Sequence, residues 1–414
     1  MLAMQDQHLG EVKSLSHPGG QRVYFVKHDI LGLPDADKTA AIVALAQHGV
    51  NIKEYADTLV DRKHVRLNLI SYTGNMEVFT LLEIIAVLWV TYLVFTWWLE
   101  KGRVSQLADK TVVITGCDTG FGNLLARRLD QLGLRVFAGC LTEAGVAELR
   151  QSCSERLQPI QMDVTSSDSV QAALRVVEEA VGSKGLWGLV NNAGILGCAV
   201  ATAEWVTLSD YKVALNVNLL GMAALNVNLL GMIDVTKTFL PLLKKSRGRV
   251  VNVASAAGRL PFASNTHYSV SKYGVEAFSD SLRRAMRCFG IKVHIIEPGV
   301  YRTNISNLDI LIRGLDDNWQ RQSPETREEY GEEFLQAAKD TVVAIDRISE
   351  DPVAVVDAME HALCATHPRS RYVVGWKAWL VVVPISWLPT DLGDLAYRLV
   401  LRKEATPASC KKDE

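Results

Sequence analysis

The sequence predicts an α/β protein with a doubly wound parallel sheet and one N-terminal transmembrane helix. Three observations lead to this prediction: short apolar runs alternate with helical stretches after residue 107, a glycine-rich loop follows the first run, and one long apolar segment precedes them all. Uninterrupted apolar strands separated by helices are typical of a parallel sheet covered on both faces. Ligands bind to such a sheet at the carboxyl ends of its strands.

The composition is that of a globular protein: 48% of the 414 residues are hydrophobic and 22% are charged. Lys and Arg number 44 against 46 Asp and Glu, so the net charge of −2 gives no electrostatic reason to expect a nucleic-acid partner. The seven cysteines are scattered and form no CxxC pair. We therefore expect reduced thiols, with neither a disulfide framework nor a metal site.

The long apolar segment covers residues 78–99 and carries a single charge, Glu83. Its length suffices for a hydrocarbon core about 30 Å thick, and two tryptophans followed by two cations end it as expected at a membrane interface. A buried core helix is the alternative, but such helices are rarely so uniformly apolar. We predict a membrane anchor over 76–100, whose orientation the flanking charges leave open. Residues 1–75 carry no motif to which we assign a function.

The apolar runs after the anchor define the elements of the sheet. We predict strands at residues 111–114, 135–139, 160–163, 186–190, 249–253 and 293–296, with an amphipathic helix at 124–132. The α/β domain that contains these elements is predicted to span 107–345, followed by a C-terminal segment at 346–402 and a polar tail at 403–414.

A tandem duplication interrupts this pattern: VALNVNLLGM (213–222) is followed by AALNVNLLGM (223–232), which is identical at nine of ten positions. Ten residues turn a helix through about 1000°, which misses a whole number of turns by about 80°. One straight helix cannot present the same face of both copies, so one copy must loop out or unwind. The duplication is either genuine or an artefact of the sequence.

The loop TGCDTGFG (115–122) lies between the first predicted strand and the helix after it. Its glycines let the backbone turn sharply and approach a pyrophosphate, while the helix offers its positive N-terminal end. The pattern predicts a dinucleotide site. We assign to it Gly116, Asp118, Thr119, Gly120, Phe121 and Gly122.

The motif NNAG (191–194) ends the fourth predicted strand, where a doubly wound sheet presents residues to a ligand. Asparagines at that position can hydrogen-bond neighbouring backbone and fix the crevice, although an ordinary Asn–Gly turn is the alternative for the motif alone. We assign Asn191, Ala193 and Gly194 to the cofactor site.

Tyr268 and Lys272 lie four residues apart, which puts both side chains on one face of a predicted helix. An ammonium group beside a phenol lowers the phenol pKa from its usual value of about 10, so Tyr268 can donate and accept a proton. Ser255 follows the fifth predicted strand, and its hydroxyl can meet Tyr268 if the chain folds back. Taken alone, such a Tyr–Lys pair is more often a solvated helix face.

These motifs, together with EPGVYRT (297–303), stand in a fixed order that resembles the short-chain dehydrogenase/reductase superfamily over residues 110–305. The resemblance implies that Tyr268 is the catalytic acid/base, that Lys272 lowers its pKa and binds the nicotinamide ribose, and that Ser255 orients the substrate oxygen. It further implies cofactor contacts at Asp163, Val164, Pro298, Gly299 and Thr303.

The catalytic asparagine of that superfamily falls inside the duplication. Counting back from Tyr268 favours Asn228, whereas counting forward from Gly194 favours Asn218. We prefer Asn228, because the helix that leads into the fifth strand continues from it without interruption.

Longer stretches, among them KGLWGLVNNAG, YGVEAFSDSLRR and HALCATHPRSRY, are similar to the microsomal retinol and 3α/17β-hydroxysteroid dehydrogenases. This resemblance implies an oxidoreductase of the endoplasmic reticulum membrane that moves a hydride between NAD(H) and an apolar alcohol or carbonyl, retinoid or steroid. The segment 376–401 would then be a helical, membrane-proximal extension or a cap on the substrate pocket, with a packed helix pair as the alternative. Substrate choice, reaction direction and homo-oligomerisation stay open.

The residues around the loop favour NAD over NADP, because no cation lies between residues 116 and 123 and Cys140-Leu141-Thr142-Glu143 follows the second strand. Asp118 is our candidate for the ribose, with Glu143 behind it. Two other functions compete: a dehydrogenase of a short hydroxy acid such as 3-hydroxybutyrate, and a non-catalytic NAD-binding membrane protein whose pocket the duplication has distorted.

Overall fold

The computed structural model describes the following residues: 13–16, 22–25, 80–196, 205, 225–263, 265–303, 307–400 and 406–410. The chain divides into two compact units, 1–95 and 96–414. In the first unit, strands Lys13–Ser16 and Arg22–Phe25 pair antiparallel. Helix α1, Thr80–Glu100, has a mean hydropathy of 1.8 and is long and apolar enough to cross a membrane. Its apolar side chains are exposed, which distinguishes it from a core helix.

The second unit is built around a seven-stranded sheet. Its strands are β1 Thr111–Thr115, β2 Arg135–Cys140, β3 Leu157–Gln161, β4 Gly188–Asn191, β5 Arg249–Val253, β6 Lys292–Pro298 and β7 Arg371–Val374. They lie in the order β3-β2-β1-β4-β5-β6-β7 and every neighbouring pair is parallel. This confirms the predicted doubly wound fold. Because the order reverses between β1 and β4, a ligand crevice opens at their carboxyl ends.

Helices cover both faces of the sheet. After α1 they are α2 Gly120–Gln131, α3 Glu143–Ser152, α4 Ser167–Val181, α5 Met232–Ser246, α6 Thr266–Met286, α7 Leu308–Arg321, α8 Pro324–Tyr330, α9 Glu332–Arg347, α10 Val353–Cys364, α11 Val383–Ser386 and α12 Thr390–Val400. Val112 and Ile114 of β1 pack with α2 and α10, whereas Val113 between them packs with α4 and α5. Both faces of the strand are thus buried, which explains its unbroken apolar sequence.

Two parts of the sheet differ from the sequence prediction. The third strand is Leu157–Gln161 rather than 160–163, and it ends before Asp163, whose carboxylate accepts the backbone N–H of Thr165 at 2.8 Å in a turn. The seventh strand was not predicted. It comes from the segment 346–402 and pairs with β6, so that segment contributes to the core of the sheet.

The second copy of the duplication is described from Leu225 onward. It forms a π-helical turn, Asn226–Gly231, before α5 begins at Met232, so its winding departs from that of an α-helix there. Such turns are rare and are frequent at functional sites. The first copy, 213–222, lies outside the described residues.

Candidate active site

Ser255, Tyr268 and Lys272 come together at the carboxyl edge of the sheet. Ser255 follows β5 and caps a short turn, Ala256–Gly258, by accepting the backbone N–H of Ala257 at 3.2 Å. Tyr268 and Lys272 lie on the first turns of α6. Ser255 lies near enough to Tyr268 to lower the pKa of its phenol, and Lys272 Nζ lies 5.6 Å from the centre of the Tyr268 ring. The three residues that the sequence singled out therefore form one group.

Burial changes the protonation behaviour of this group. It raises the pKa of the Tyr268 phenol above its usual value of 10, while the hydrogen bond with Ser255 acts in the opposite direction. Burial also lowers the pKa of Lys272 to about 8, and the negative charge of Glu276 opposes that fall. The sequence argument expected Lys272 to lower the Tyr268 pKa. In the structure, desolvation of the phenol outweighs the one group that favours its ionised form, which is Ser255.

Lys272 is held in place by the strand beside it. Its Nζ donates to the backbone oxygen of Val253 at 2.9 Å, and only 5% of the residue is exposed. A Cβ added to Gly194 would lie 3.7 Å from the same Nζ. The motif that ends β4 thus borders the ammonium group directly.

Asn228 joins the π-helical turn to the active-site helix. Its side-chain amide accepts the backbone N–H of Ile195 and donates to the oxygen of the same residue, both at 2.9 Å. It also donates to Ser271 Oγ at 3.1 Å, and Ser271 Oγ donates to the backbone oxygen of Tyr268 at 2.7 Å. Asn228 is buried, and Asn218 lies outside the described residues.

The glycine loop after β1 packs against NNAG too closely for side chains. Gly116 has φ of +70°, and a Cβ there would lie 2.7 Å from Ala193 Cα. At Gly122 a Cβ would lie 2.3 Å from the backbone oxygen of Gly116. Neither glycine can be replaced without backbone movement, which is the physical reason for their spacing.

Asn192, which the sequence analysis did not assign, holds the two motifs together. Its side-chain Nδ2 donates to the backbone oxygens of Thr115 and Gly116, each at 2.9 Å. Thr115 Oγ1 in turn accepts the backbone N–H groups of Asn192 and Ala193 at 3.0 Å. Asn192 lies in NNAG between two residues that were assigned to the cofactor site, and this position could have identified it from the sequence.

Asn191 has a different task from its neighbour. Its side chain donates to Thr236 Oγ1 at 2.9 Å and to Asn252 Oδ1 at 2.8 Å, and the residue is buried. Asn252 continues this chain of hydrogen bonds to Ser279 Oγ at 2.8 Å. The Asn191 side-chain nitrogen therefore connects β4 to β5 and α5, and through Asn252 to α6.

The residues around the loop fit a dinucleotide. The Thr119 side chain makes no capping hydrogen bond at the start of α2, so backbone N–H groups there are available to an anion. A Cβ on Gly120, where φ is +65°, would have the Thr303 side chain as its nearest neighbour at 3.7 Å. The absence of that Cβ leaves space between the loop and the end of β6, where Pro298 is the last residue of the strand and Gly299 follows it.

Two acidic residues of the predicted cofactor site are fixed by backbone. The Asp118 carboxylate accepts the N–H groups of Leu141 and Thr142 at 2.8 and 2.9 Å, and the Thr142 hydroxyl at 2.6 Å. Asp163 closes the turn after β3. A Cβ added to Gly231 would lie 2.6 Å from the backbone oxygen of Val164, so Gly231 packs directly against the residue after Asp163.

Within the described part of the chain, no group of three His, Cys, Asp or Glu side chains could hold a metal.

Comparison with known proteins identifies the class. A family model described as short chain dehydrogenase matches residues 110–309. The chain is 50% identical to retinol dehydrogenase 7 of Mus musculus over 296 residues, which cover 71% of this chain and 90% of that protein. It is 46% identical to 17-beta-hydroxysteroid dehydrogenase type 6 of Rattus norvegicus, over 76% of this chain and 96% of that one.

Among solved structures, a short-chain dehydrogenase from Streptomyces avermitilis superposes with a TM-score of 0.54 at 23% identity, over 71% of this chain and 98% of that one, which supports the fold. The chain belongs to the short-chain dehydrogenase family and is an oxidoreductase that uses a nicotinamide cofactor. Within that family it resembles the retinol and hydroxysteroid dehydrogenases.

Proposed function

We propose that this protein is a membrane-anchored, NAD-dependent dehydrogenase that interconverts an apolar alcohol, a retinoid or a steroid, and its carbonyl. The observation that carries the proposal is that Ser255, Tyr268 and Lys272 meet at the carboxyl edge of the sheet, where Lys272 borders Gly194 of NNAG. The names of the relatives at 46–50% identity support the substrate class. Helix α1 supports membrane anchoring, and the resemblance to microsomal enzymes favours the endoplasmic reticulum.

Each residue of the group has a task in this reaction. Bound NAD supplies a nicotinamide ring that takes the hydride from the carbinol carbon. Ser255 hydrogen-bonds the substrate oxygen. Tyr268 takes the hydroxyl proton in its phenolate form as the hydride leaves, and the neutral phenol returns that proton in the reverse direction. Lys272 has three N–H donors, of which Val253 takes one, so it can also hold a ribose hydroxyl. Asn228 positions the first turns of α6 through Ser271.

The preference for NAD follows from charge. An NADP site offers a cation to the 2′-phosphate, whereas the loop after β2 here contains Leu141, Thr142 and Glu143. Asp118 is bound to the backbone of that loop, so its negative charge would repel a phosphate on the neighbouring ribose. Asp163 and Val164 are proposed to flank the adenine.

The C-terminal segment suits a substrate that dissolves in lipid. It exposes these large apolar side chains: Trp376, Trp379, Leu380, Trp387, Leu388, Leu392, Leu395 and Leu399. The three leucines of α12 follow a helical spacing, so they share one face of that helix. Tryptophans and an apolar helix face are typical of a segment that lies in a membrane interface. We propose that the part of 346–402 from residue 376 onward brings the substrate entrance to the membrane surface.

The decisive experiment offers alcohols to the purified full-length protein in detergent. Retinol, androstanediol and 3-hydroxybutyrate are supplied in turn with NAD or NADP, and formation of the reduced cofactor is followed by absorbance. We expect turnover of retinol or androstanediol with NAD. Turnover of 3-hydroxybutyrate alone would favour the hydroxy-acid alternative, and binding of NAD without reduction by any alcohol would favour the non-catalytic one.

Replacement of the catalytic phenol tests the chemistry itself. Tyr268→Phe should lower kcat by at least about 100-fold, because the reaction loses its acid/base, while the Kd for NAD stays nearly unchanged. Tyr273→Phe is the matched control: Tyr273 lies on the same helix, and its hydroxyl donates to the backbone oxygen of Arg259 instead. If both variants keep turnover, Tyr268 is not the proton carrier.

A further inference from the structure

A partly buried cluster of charged residues begins one helical turn after Lys272. Its members are Arg259, Glu276, Asp280, Glu297 and Arg371. They come from four places in the chain that also carry the active site: the turn after Ser255, helix α6, the end of β6, and the start of β7. Glu276 and Arg371, for example, contact each other in the cluster although they lie 95 positions apart in the sequence.

Arg371 and Arg259 hold the cluster together. The Arg371 guanidinium contacts the carboxylates of Glu276 and Glu297, and it reaches Asp280 at 3.1 Å. Arg259 binds both carboxylate oxygens of Glu297 at 3.0–3.1 Å. The Glu297 side chain is 1% exposed, so these charges interact with little screening by water.

Glu276 is the member of the cluster nearest to the active site. It lies one helical turn after Lys272 on the same face of α6. A Cβ on Gly258 would lie 3.0 Å from the backbone oxygen of Lys272 and 3.1 Å from Glu276 Cγ. The turn that follows Ser255 therefore packs against both residues at once.

The charge on Glu276 is only partly compensated. Within the described residues its Oε1 is buried without a hydrogen-bond partner, although Arg371 binds the other oxygen. Burial, and then the charge of Glu297, raise the pKa of Glu276 to about 7, against the opposing charges of Arg371 and Arg259. Its own charge acts in turn on Lys272, whose pKa it raises against the effect of burial.

We propose that Glu276 is a positioning residue for Lys272: its carboxylate, held beside Glu297 by Arg371, keeps the buried lysine in its ammonium form. The inference rests on the proposed function, in which that ammonium binds the ribose and supports Tyr268. The groups that face Glu276 are Lys272 and Tyr273 on its own helix, Arg259, Glu297 and Arg371. Among these groups, Lys272 is the one whose positive charge the proposed dehydrogenase reaction requires.

The titration of Lys272 tests the proposal without turnover. Isotopically labelled lysine side chains in the cofactor-free protein are followed by NMR against pH, with the Lys272 signal assigned by its loss in Lys272→Arg. Glu276→Gln should lower the Lys272 pKa by about one unit, because it removes an anion one turn away. The pH midpoint of kcat/KM should move to lower pH by the same amount, since removing an anion lowers the pKa of each neighbouring group.

Two further variants separate this effect from damage to the fold. Glu276→Asp keeps the charge and should restore most of the Lys272 pKa. Asp280→Asn removes a carboxylate from the same cluster but two turns from Lys272, and it should change that pKa by less than about 0.3 units. An unchanged Lys272 pKa in Glu276→Gln, or an equal change in Asp280→Asn, would overturn the proposal. Failure of the wild type to oxidise any alcohol would instead overturn the proposed function and leave the titration result standing.

Discussion

The two sides of the active-site crevice are built by different physical means. On the β1 and β4 side, the glycine loop and NNAG fit together through backbone contacts and the amide of Asn192. On the β5, β6 and β7 side, buried carboxylates and guanidinium groups join the elements that carry Ser255 and Lys272. One side is therefore specified by steric fit, and the other by charge.

This difference follows from what each side has to do. A pyrophosphate is bound by backbone N–H groups that must come close to it, and side chains would prevent that approach. Proton transfer requires groups with controlled protonation states, and buried charges are the means of shifting a pKa. Variants on the two sides should consequently fail in different ways.

The largest loss of stability is expected on the charged side. Glu297→Gln breaks the bidentate contact with Arg259 and one of the carboxylate contacts of Arg371, at a site where the Glu297 side chain is 1% exposed, at a cost of about 3–5 kcal/mol in the free energy of unfolding. Urea denaturation measures this value. Glu178→Gln, which removes an exposed partner of Lys245, should cost less than about 1 kcal/mol. Equal costs for the two variants would show that burial does not strengthen this cluster.

On the steric side, Gly122→Ala should cost about 3 kcal/mol, since the added Cβ would meet backbone oxygen that cannot turn away. The Kd for NAD should rise by more than about tenfold, because the loop must shift to admit the methyl group. Unfolding and NAD titration followed by fluorescence measure the two effects. Gly393→Ala on α12, where the neighbours of a Cβ lie at 3.7 Å or beyond, is the control and should keep wild-type affinity. Retained NAD affinity in Gly122→Ala would contradict a steric origin of the loop.

The smallest of the three effects concerns the junction between the two sides. Asn228→Ala leaves the backbone N–H and oxygen of Ile195 without their side-chain partner, at a cost of about 2 kcal/mol, and should lower kcat through the loosened Ser271. Asn218→Ala in the other copy of the duplication is the natural control. Activity measurements that show the reverse pattern would assign the catalytic asparagine to the first copy.

The features that the sequence revealed are local ones. The strand β1, the glycine loop and the Tyr268–Lys272 pair each lie within a few consecutive residues, so spacing alone was informative. The order of motifs also led to Asn228 rather than Asn218, and the structure brings Asn228 to Ser271.

What the sequence did not reveal depends on contacts between distant segments. Strand β7 is only four residues long, and it becomes part of the sheet through β6. Arg371 finds Glu276 and Glu297 only in the folded chain. The raised pKa of Tyr268 has the same origin, because desolvation depends on tertiary packing that no spacing rule records.

The burial of two thiols near the crevice affects how readily the protein reacts with electrophiles. Cys117 of the glycine loop is buried and donates to the backbone oxygen of Ile114, and burial raises its pKa well above the usual range. Burial likewise raises the pKa of Cys140, at the end of β2, to about 12. Only a thiolate attacks electrophiles readily. In an enzyme whose product or substrate is a reactive carbonyl, the protonated thiols beside the nucleotide loop are thereby kept from trapping that carbonyl.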